Sequence, residues 1–359
     1  MSNSADSTQA RWSDSAAENT RRAALRLAFG ITGCFTIVEL LDWDATFLAP
    51  MLAANFLVKS PRPPTALQGL IVVALFALST GAVLAITAAL ISNAAVLILA
   101  LTLVLYLGFY AHRRGAPELA TLLLQVSAVS LPIVAVLSPQ GAGAFALTLV
   151  SAGILALLTV WAAHAAFPSV PGEEGASPAE RTIPLETMAA RHASIDTLIL
   201  LPIFVWFILD ASQVSVVVLI VIVNVLRQTN LQNRHGAAMG LIVGNLLGGI
   251  AASVTYNLVL LGNTLPLFIA ICLAASLMFA GRIATSGDRA PVYVIALGTF
   301  ILLLGLGLSP LPGSSGEAFA SRLVNVVAAS AYLVCALSLV GGKARPVSAG
   351  PGIDTSVTG

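Results

Sequence analysis

One arginine in the sequence lies where a cation is costly. Arg322 falls about one helical turn into the apolar run 317–340, within "GEAFASRLVNVV". If that run crosses a membrane, the cation must pair with an acid, reach water or bind an anion. A planar guanidinium can donate two parallel hydrogen bonds to a carboxylate, which makes Arg322 a candidate for holding an anionic substrate. The alternative is an ion pair with Glu317 or Asp210 at the outer rim.

Two short apolar runs each carry an asparagine followed by a cation. The run "FLAPMLAANFLVKSPRP" contains Asn55 and Lys59, and the run "VSVVVLIVIVNVLRQTN" contains Asn224 and Arg227. Short or broken runs at matching positions in two halves point to a transport pathway, so these four residues are candidates for lining one. The alternatives are asparagines bonded to neighbouring helices and cations that only mark the cytoplasmic side.

Three carboxylates near predicted helix ends are candidates for proton coupling. Glu39 lies about one turn inside the first apolar run, whereas Asp42 and Asp210 follow the ends of their runs. A partly buried carboxylate can take up and release a proton during transport. The alternative is an acid in a wet loop or at the N-terminus of the next helix.

Motifs for other chemistry are not found in the sequence. The four histidines and three cysteines (Cys34, Cys272 and Cys335) have no metal-ligand spacing, and the cysteines are expected to be small buried residues. There is neither a P-loop nor a Gly-x-Ser-x-Gly motif. The sequence therefore predicts no enzyme, no cofactor and no metal, and the net charge of +1 predicts no nucleic-acid partner.

The composition of the chain indicates that membrane-spanning helices hold these residues. The chain has 359 residues, of which 58% are hydrophobic and 9% charged, and its mean hydropathy is +0.95. Soluble domains are about a quarter charged, so the prediction is an all-α polytopic membrane protein. Polar or Gly/Pro breaks separate about twelve apolar runs: 24–41, 45–58, 69–91, 93–111, 118–137, 142–166, 194–209, 212–226, 236–261, 264–280, 290–308 and 317–340.

The basic residues set the orientation. With twelve spans and a cytoplasmic N-terminus, every lysine and arginine except Arg322 falls on the cytoplasmic side. Both termini are therefore predicted to be cytoplasmic.

The runs also divide into two similar halves. "VELLDWDATFLAPMLAANFLVKSP" matches "WFILDASQVSVVVLIVIVNVLRQTN", and "SPQGAGAFALTLVSAG" matches "SPLPGSSGEAFASRLVNVVAAS". Because six spans is an even number, both halves enter from the same side and form a parallel repeat. The predicted organisation is a disordered cytoplasmic tail, a six-helix repeat, a cytoplasmic linker that ends in a short amphipathic helix, a second six-helix repeat and a second disordered cytoplasmic tail: 1–20, 21–166, 167–193, 194–342 and 343–359.

A stripe of small residues marks the run 236–261. Gly236, Gly240, Gly244 and Gly248 recur at every fourth position. Such spacing lets two membrane helices approach closely, so these glycines are predicted to serve helix packing.

The first half also resembles a known group. Its opening "RLAFGITGCFTIVELL", the following "FLAPMLAANFLVKSPRP" and the Gly/Ala-rich next helix resemble the fusaric acid resistance (FUSC-like) superfamily, most closely the DUF2955 type. The resemblance implies a bacterial inner-membrane exporter of aromatic or other organic acids that works with a periplasmic membrane-fusion protein. The superfamily is also similar to plant malate channels, which assemble two six-helix units around an anion pore. The larger members carry a sizeable soluble domain, for which only 167–193 is available here.

These inferences leave three functional hypotheses. The first is a proton-driven secondary transporter that exports organic anions, which are expected to be aromatic. The second is a passive anion channel, and the third is a non-transporting membrane subunit of an assembly. Each is compatible with a homo-oligomer.

Overall fold

The structure is a computed structural model of the whole chain. It describes residues 2–43, 45–59, 62–116, 118–169, 186–209, 234–262 and 264–308, together with short stretches near residues 219–227 and 328–336. The regular elements in these ranges are ten α-helices and a 3-10 turn at Gly287–Arg289. The helices are α1 (Ser2–Leu40), α2 (Leu48–Lys59), α3 (Ala66–Leu90), α4 (Ala94–Arg113), α5 (Glu118–Leu137), α6 (Pro139–Ala166), α7 (Glu186–Leu209), α8 (Arg234–Leu261), α9 (Leu265–Thr285) and α10 (Ala290–Leu308).

Most of these helices are membrane spans by length and composition. Nine stretches within the described residues are long and apolar enough to cross a bilayer. Their outward side chains are apolar as well, as at Leu78, Leu147 and Leu198, which are exposed; a broad apolar surface of this kind is typical of contact with lipid. The prediction of an all-helical, multi-pass membrane protein is confirmed. The count of twelve stays a prediction, because the runs 212–226 and 317–340 lie largely outside the described residues.

The second apolar run forms a short helix, as its sequence predicts. α2 has 12 residues, so it extends about 18 Å, against about 30 Å of hydrocarbon in a typical bilayer. Its residues Ala49 and Ala53 are fully buried, because α2 packs against α1, α6 and α10. The helix is therefore enclosed by protein instead of facing lipid along its length.

Local sequence signals place several helix starts. Thr65 caps α3 through a reciprocal pair of hydrogen bonds with Gln68, which is the capping-box arrangement. The side chains of Asn93 and Ser138 accept from the first turns of α4 and α6. These caps satisfy amide groups that a helix start leaves unpaired.

Two helix starts differ from the predicted domain boundaries. α1 begins at Ser2, within the segment 1–20 predicted as a disordered tail; its alanines, glutamate and arginines favour helix and continue the membrane helix behind them. α7 begins at Glu186, within the predicted linker 167–193. The short amphipathic helix expected at the end of that linker is instead the first part of α7.

Helices from the two halves of the chain pack together in several places. α4 packs against α7, and α1 packs against α9. Phe35 of α1, Phe204 of α7 and Phe300 of α10 are fully buried in the shared apolar core. The threonine preceding α2, Thr46, donates its hydroxyl to the carbonyl oxygen of Gly305 in α10, which adds a polar contact between the halves.

Glycines bring α8 and α10 close together. A Cβ atom added at Gly244 would lie 2.8 Å from the carbonyl oxygen of Val292, and one at Gly248 would overlap the carbonyl oxygen of Ala296. Gly240 faces the side chain of Val292 on the same helix. Backbones of the two helices thus meet where side chains would not fit. Gly236 belongs to α8, and its surroundings are not among the described features.

Candidate functional site

A buried polar cluster lies where the first half of the chain meets the second. It joins the end of α4, the first two turns of α5, the early part of α7 and the helical residues 226–227. We call it the junction cluster, and its members are His112, Arg113, Thr121, Gln125, Asp196 and Arg227. All six side chains are surrounded by otherwise apolar helices, so each polar contact among them bears on how the halves are held.

An ion pair between Arg113 and Asp196 links α4 to α7. Nε and Nη2 of Arg113 donate to the same carboxylate oxygen, Oδ2 of Asp196, at 3.1 and 2.7 Å. The Asp196 side chain is 0% exposed and that of Arg113 is 14% exposed. Nη2 of Arg113 also donates to the carbonyl oxygen of Leu226 at 3.3 Å. One guanidinium therefore contacts two separate segments of the second half.

The other oxygen of the buried carboxylate is not satisfied in this way. Asp196 Oδ1 is buried and has no hydrogen-bond partner among the residues that the structure describes. An Arg–carboxylate pair is strongest when two nitrogens meet two oxygens. The Arg113–Asp196 pair instead uses two nitrogens on one oxygen, so it is incomplete on the carboxylate side.

Arg227 reaches from the second half into the first. Its Nη1 donates to Gln125 Oε1 at 2.6 Å, and its Nη2 lies 3.0 Å from Thr121 Oγ1 and 3.2 Å from His112 Nδ1. Arg227 is 8% exposed. A guanidinium at this depth is held by neutral polar groups of α4 and α5, in addition to any further contacts it makes.

Gln125 lies about two turns into α5, where that helix contacts α4. Its side chain is fully buried, and its Nε2 has no hydrogen-bond partner among the described part of the chain. A Cβ atom at Gly108 would lie 3.0 Å from Gln125 Cγ, so the absence of a side chain at Gly108 gives the amide its space. The cluster thus contains an unfilled donor on α5 and an unfilled acceptor on α7.

The chain builds this site from helix ends. α4 ends at Arg113, and Gly115 follows in the left-handed region at a φ of 83°, which glycine adopts without strain. The turn returns the chain to α5 within five residues, so Arg113 and Thr121 stay on the same side of the molecule. Two guanidinium groups and one carboxylate then share a buried region, which is an arrangement able to attract and hold an anion.

The part of the chain that contains Arg113, Thr121 and Gln125 is similar to a known family. Residues 23–163 match the model of the family described as "Protein of unknown function (DUF2955)". We call residues 23–163, the part of the chain with this likeness, the DUF2955 region. That family lies in the FUSC-like group of membrane proteins, and the predicted resemblance is confirmed. No curated protein and no solved structure matches the chain at significant similarity.

The junction cluster crosses the boundary of the DUF2955 region. Arg113, Thr121 and Gln125 lie inside it, whereas Asp196 and Arg227 lie beyond its end. The DUF2955 region therefore supplies one wall of the cluster, and the second half of the chain supplies the other.

The predicted site residues are not all in one place. Arg227 is in the junction cluster, and Lys59 is the last residue of α2. The Asn55 side-chain amide donates to the Met51 carbonyl oxygen of its own helix at 2.9 Å. Asn224 and Arg322 lie outside the described residues.

Two of the three predicted proton-coupling acids, Glu39 and Asp42, lie outside the junction cluster. Glu39 is exposed next to the end of α1, and Asp42 is exposed in the turn that follows, with a φ of 50°. Asp210 lies outside the described residues. The acid that the structure does place in the cluster, Asp196, was not predicted; the signal available was a carboxylate inside the apolar run 194–209.

Metal-ligand groups and cysteines are both among the kinds of residue that could carry chemistry. No group of three or more His, Cys, Asp or Glu side chains there could hold a metal ion. Cys34 and Cys272 are buried as predicted, whereas Cys335 is exposed, so the expectation of three buried cysteines is wrong for Cys335. Cys34 lies 2.9 Å from the hydroxyl of Thr159 on α6, which is a packing contact between helices.

Proposed function

We propose that this protein is a secondary transporter that exports organic acids, aromatic ones in particular, across the bacterial inner membrane. The observation that carries the proposal is the junction cluster: Arg113 and Arg227 are guanidinium groups held inside an apolar bundle, at the contact between its two halves. Guanidinium groups bind carboxylates by charge and by geometry. Membership of the DUF2955 region in the FUSC-like group supports the same substrate class.

The helix packing supports a bundle of two parallel six-helix repeats. In that layout α1 and α7 are the first helices of the repeats, and α4 and α9 are the fourth. The first helix of each repeat packs on the fourth helix of the other, since α1 contacts α9 and α7 contacts α4. Such reciprocal contacts are expected from an axis along the membrane normal, and the pathway would follow that axis.

The pathway we propose begins at the predicted cytoplasmic side. An anion would enter past Lys59 and Arg227, pass the level of Asn55 and Asn224, and leave past Arg322. Glu39, Asp42 and Asp210 are the proposed proton-coupling acids, since no nucleotide-binding motif supplies another energy source. The proposed activity moves the anion without changing it chemically.

The setting of the proposed transporter follows from orientation and family. Both termini lie in the cytoplasm, as the distribution of lysine and arginine indicates. A periplasmic membrane-fusion protein is the proposed partner, in keeping with the exporters of the FUSC-like group. The bilayer and a second copy of the chain complete the proposed assembly.

A flux assay tests this function. Purified protein in proteoliposomes, loaded with radiolabelled benzoate as an aromatic carboxylate, should release the label faster with an imposed pH gradient than without one. Arg227→Gln should lower the rate at least tenfold. Arg289→Gln removes the same charge from an exposed position on the 3-10 turn and should leave it unchanged.

The same assay separates the alternatives. Benzoate flux that ignores the pH gradient would indicate a passive anion channel. Protein that moves no organic acid, yet co-purifies with a membrane-fusion protein, would indicate an assembly subunit. Either result contradicts the proposed transporter.

A further inference from the structure

The geometry of the Arg113–Asp196 ion pair suits replacement of Asp196 by another carboxylate. Two nitrogens of Arg113 donate to one oxygen of Asp196, while the second oxygen, Oδ1, is buried with no partner in the described part of the chain. Burying a carboxylate costs several kcal/mol, and only good pairing with complete hydrogen bonding recovers it. A carboxylate that offers both oxygens to the same fork would bind Arg113 better than Asp196 does.

Replacement of Asp196 on Arg113 would affect the contact between the two halves, because the ion pair joins α4 to α7. Arg113 is the last residue of α4, in the first half, and Asp196 lies in α7, in the second half. Arg113 Nη2 also donates to the carbonyl oxygen of Leu226. An anion that took Asp196's place on Arg113 would remove a polar contact that holds α4 to α7.

The side-chain amide of Gln125 is a second group in the cluster that can donate to the same anion. Gln125 is fully buried, with Oε1 accepting from Arg227 and Nε2 unpartnered among the described residues. An amide N–H donates to carboxylate oxygens. The cluster therefore contains a guanidinium whose present carboxylate partner is incomplete and an amide donor with no present partner.

We propose that Arg113 binds the carboxylate of an organic monocarboxylate substrate, and that Asp196 is an internal carboxylate which occupies Arg113 until the substrate displaces it. This inference rests on the proposed function. The anion forms hydrogen bonds to Arg113 and Gln125, the Arg113–Asp196 bonds break, and α4 and α7 become free to separate. Asp196 thereby sets the affinity, because every substrate must compete with it.

Equilibrium binding of radiolabelled benzoate to purified full-length protein tests the exchange. Asp196→Asn keeps the side-chain shape and removes the competing charge, so it should bind benzoate about tenfold more tightly, the factor that 1.4 kcal/mol of lost competition gives. Asp288→Asn removes an acid from the exposed 3-10 turn and should bind as the wild type does. Asp196→Asn protein that binds equally or more weakly overturns the inference.

A second variant gives an independent test should Asp196→Asn not fold. Arg113→Lys keeps the charge but loses the planar fork that binds both oxygens of a carboxylate, so it should bind benzoate about tenfold more weakly. Wild-type affinity in Arg113→Lys overturns the inference.

The two proposals can fail separately. Wild-type protein that moves benzoate in proteoliposomes, with both variants binding normally, would overturn the exchange and leave the transport function. Binding shifts in the expected directions without any flux would support the exchange and overturn transport. Wild-type protein that neither binds nor moves benzoate or other organic acids would overturn both.

Discussion

At the scale of single residues, Arg227 is buried at the contact between the two halves. A cation that only marked the cytoplasmic side would lie at the water surface. Arg227 is instead 8% exposed and bonded to Gln125, Thr121 and His112 of the first half. Arg227 therefore links the two halves of the chain. The proposed anion pathway passes through the junction cluster, to which Arg227 belongs.

Loss of the Gln125 amide should destabilise this link. Gln125→Leu keeps the volume but removes the acceptor of Arg227 Nη1. A hydrogen bond to a charged group contributes about 2 kcal/mol, so the free energy of unfolding should fall by about that amount. SDS-induced unfolding in mixed micelles measures it. Thr148→Val, which removes an exposed hydroxyl bonded within its own helix, should change little, and equal losses in both variants would contradict this role of Gln125.

At the scale of elements, glycine spacing sets how close two helices come. Gly244 and Gly248 face carbonyl groups of α10 directly. Between them, Asn245 accepts a hydrogen bond from Thr299 on the same partner helix. The interface of α8 and α10 thus combines close backbone contact with one buried polar pair, as membrane helix pairs commonly do.

Adding one methyl group to this interface should be costly. The Cβ atom of Gly248→Ala would overlap the Ala296 carbonyl oxygen, and overpacking of this kind costs about 1–3 kcal/mol. Gly298→Ala provides the matched control, because no atom lies within 4 Å of a Cβ atom there and it belongs to α10 itself. Thermal unfolding in detergent should show a lower midpoint for the first variant alone. Equal midpoints would mean that α8 and α10 are not in close contact.

Sequence periodicity was a good guide to elements and a poor guide to the site. Apolar runs and breaks predicted the described helices, the short α2 and the spacing of the α8 glycines, because these depend on local composition. The junction cluster depends on which helix ends meet. Nothing near Asp196 in the sequence indicates that its partner is Arg113, which is 83 positions away. Glu39 and Asp42, which were predicted from their positions near helix ends, are exposed instead.

At the scale of the whole molecule, the two halves touch through α4 and α7, through α1 and α9, and through α2 and α10. A groove of about 350 Å³ lies on the first of these contacts, lined by apolar residues such as Leu103 of α4 and Leu198 of α7. Movement between the halves would change this groove. The junction cluster lies in the same contact, so ligand binding and movement are expected to be linked.

A cross-link over that groove should stop transport. With Cys335 replaced by serine, Leu103→Cys with Leu198→Cys places two exposed thiols on opposite sides of the groove. A bis-maleimide with a reducible spacer should then abolish benzoate flux, and reduction should restore it. A protease site introduced within residues 170–185 allows the two halves to be cleaved apart. A denaturing gel then shows whether the cross-link still joins them. Full flux in the joined protein would contradict movement between α4 and α7, and Leu103→Cys alone serves as the control.

The central claim is that an organic anion binds in the junction cluster. A structure of the purified protein with 4-bromobenzoate, located by the anomalous signal of bromine, tests it most directly. The account predicts a bromine peak between α5 and α7, with the carboxylate on Arg113 and Asp196 displaced from it. A peak elsewhere, with the Arg113–Asp196 pair intact, would contradict the account.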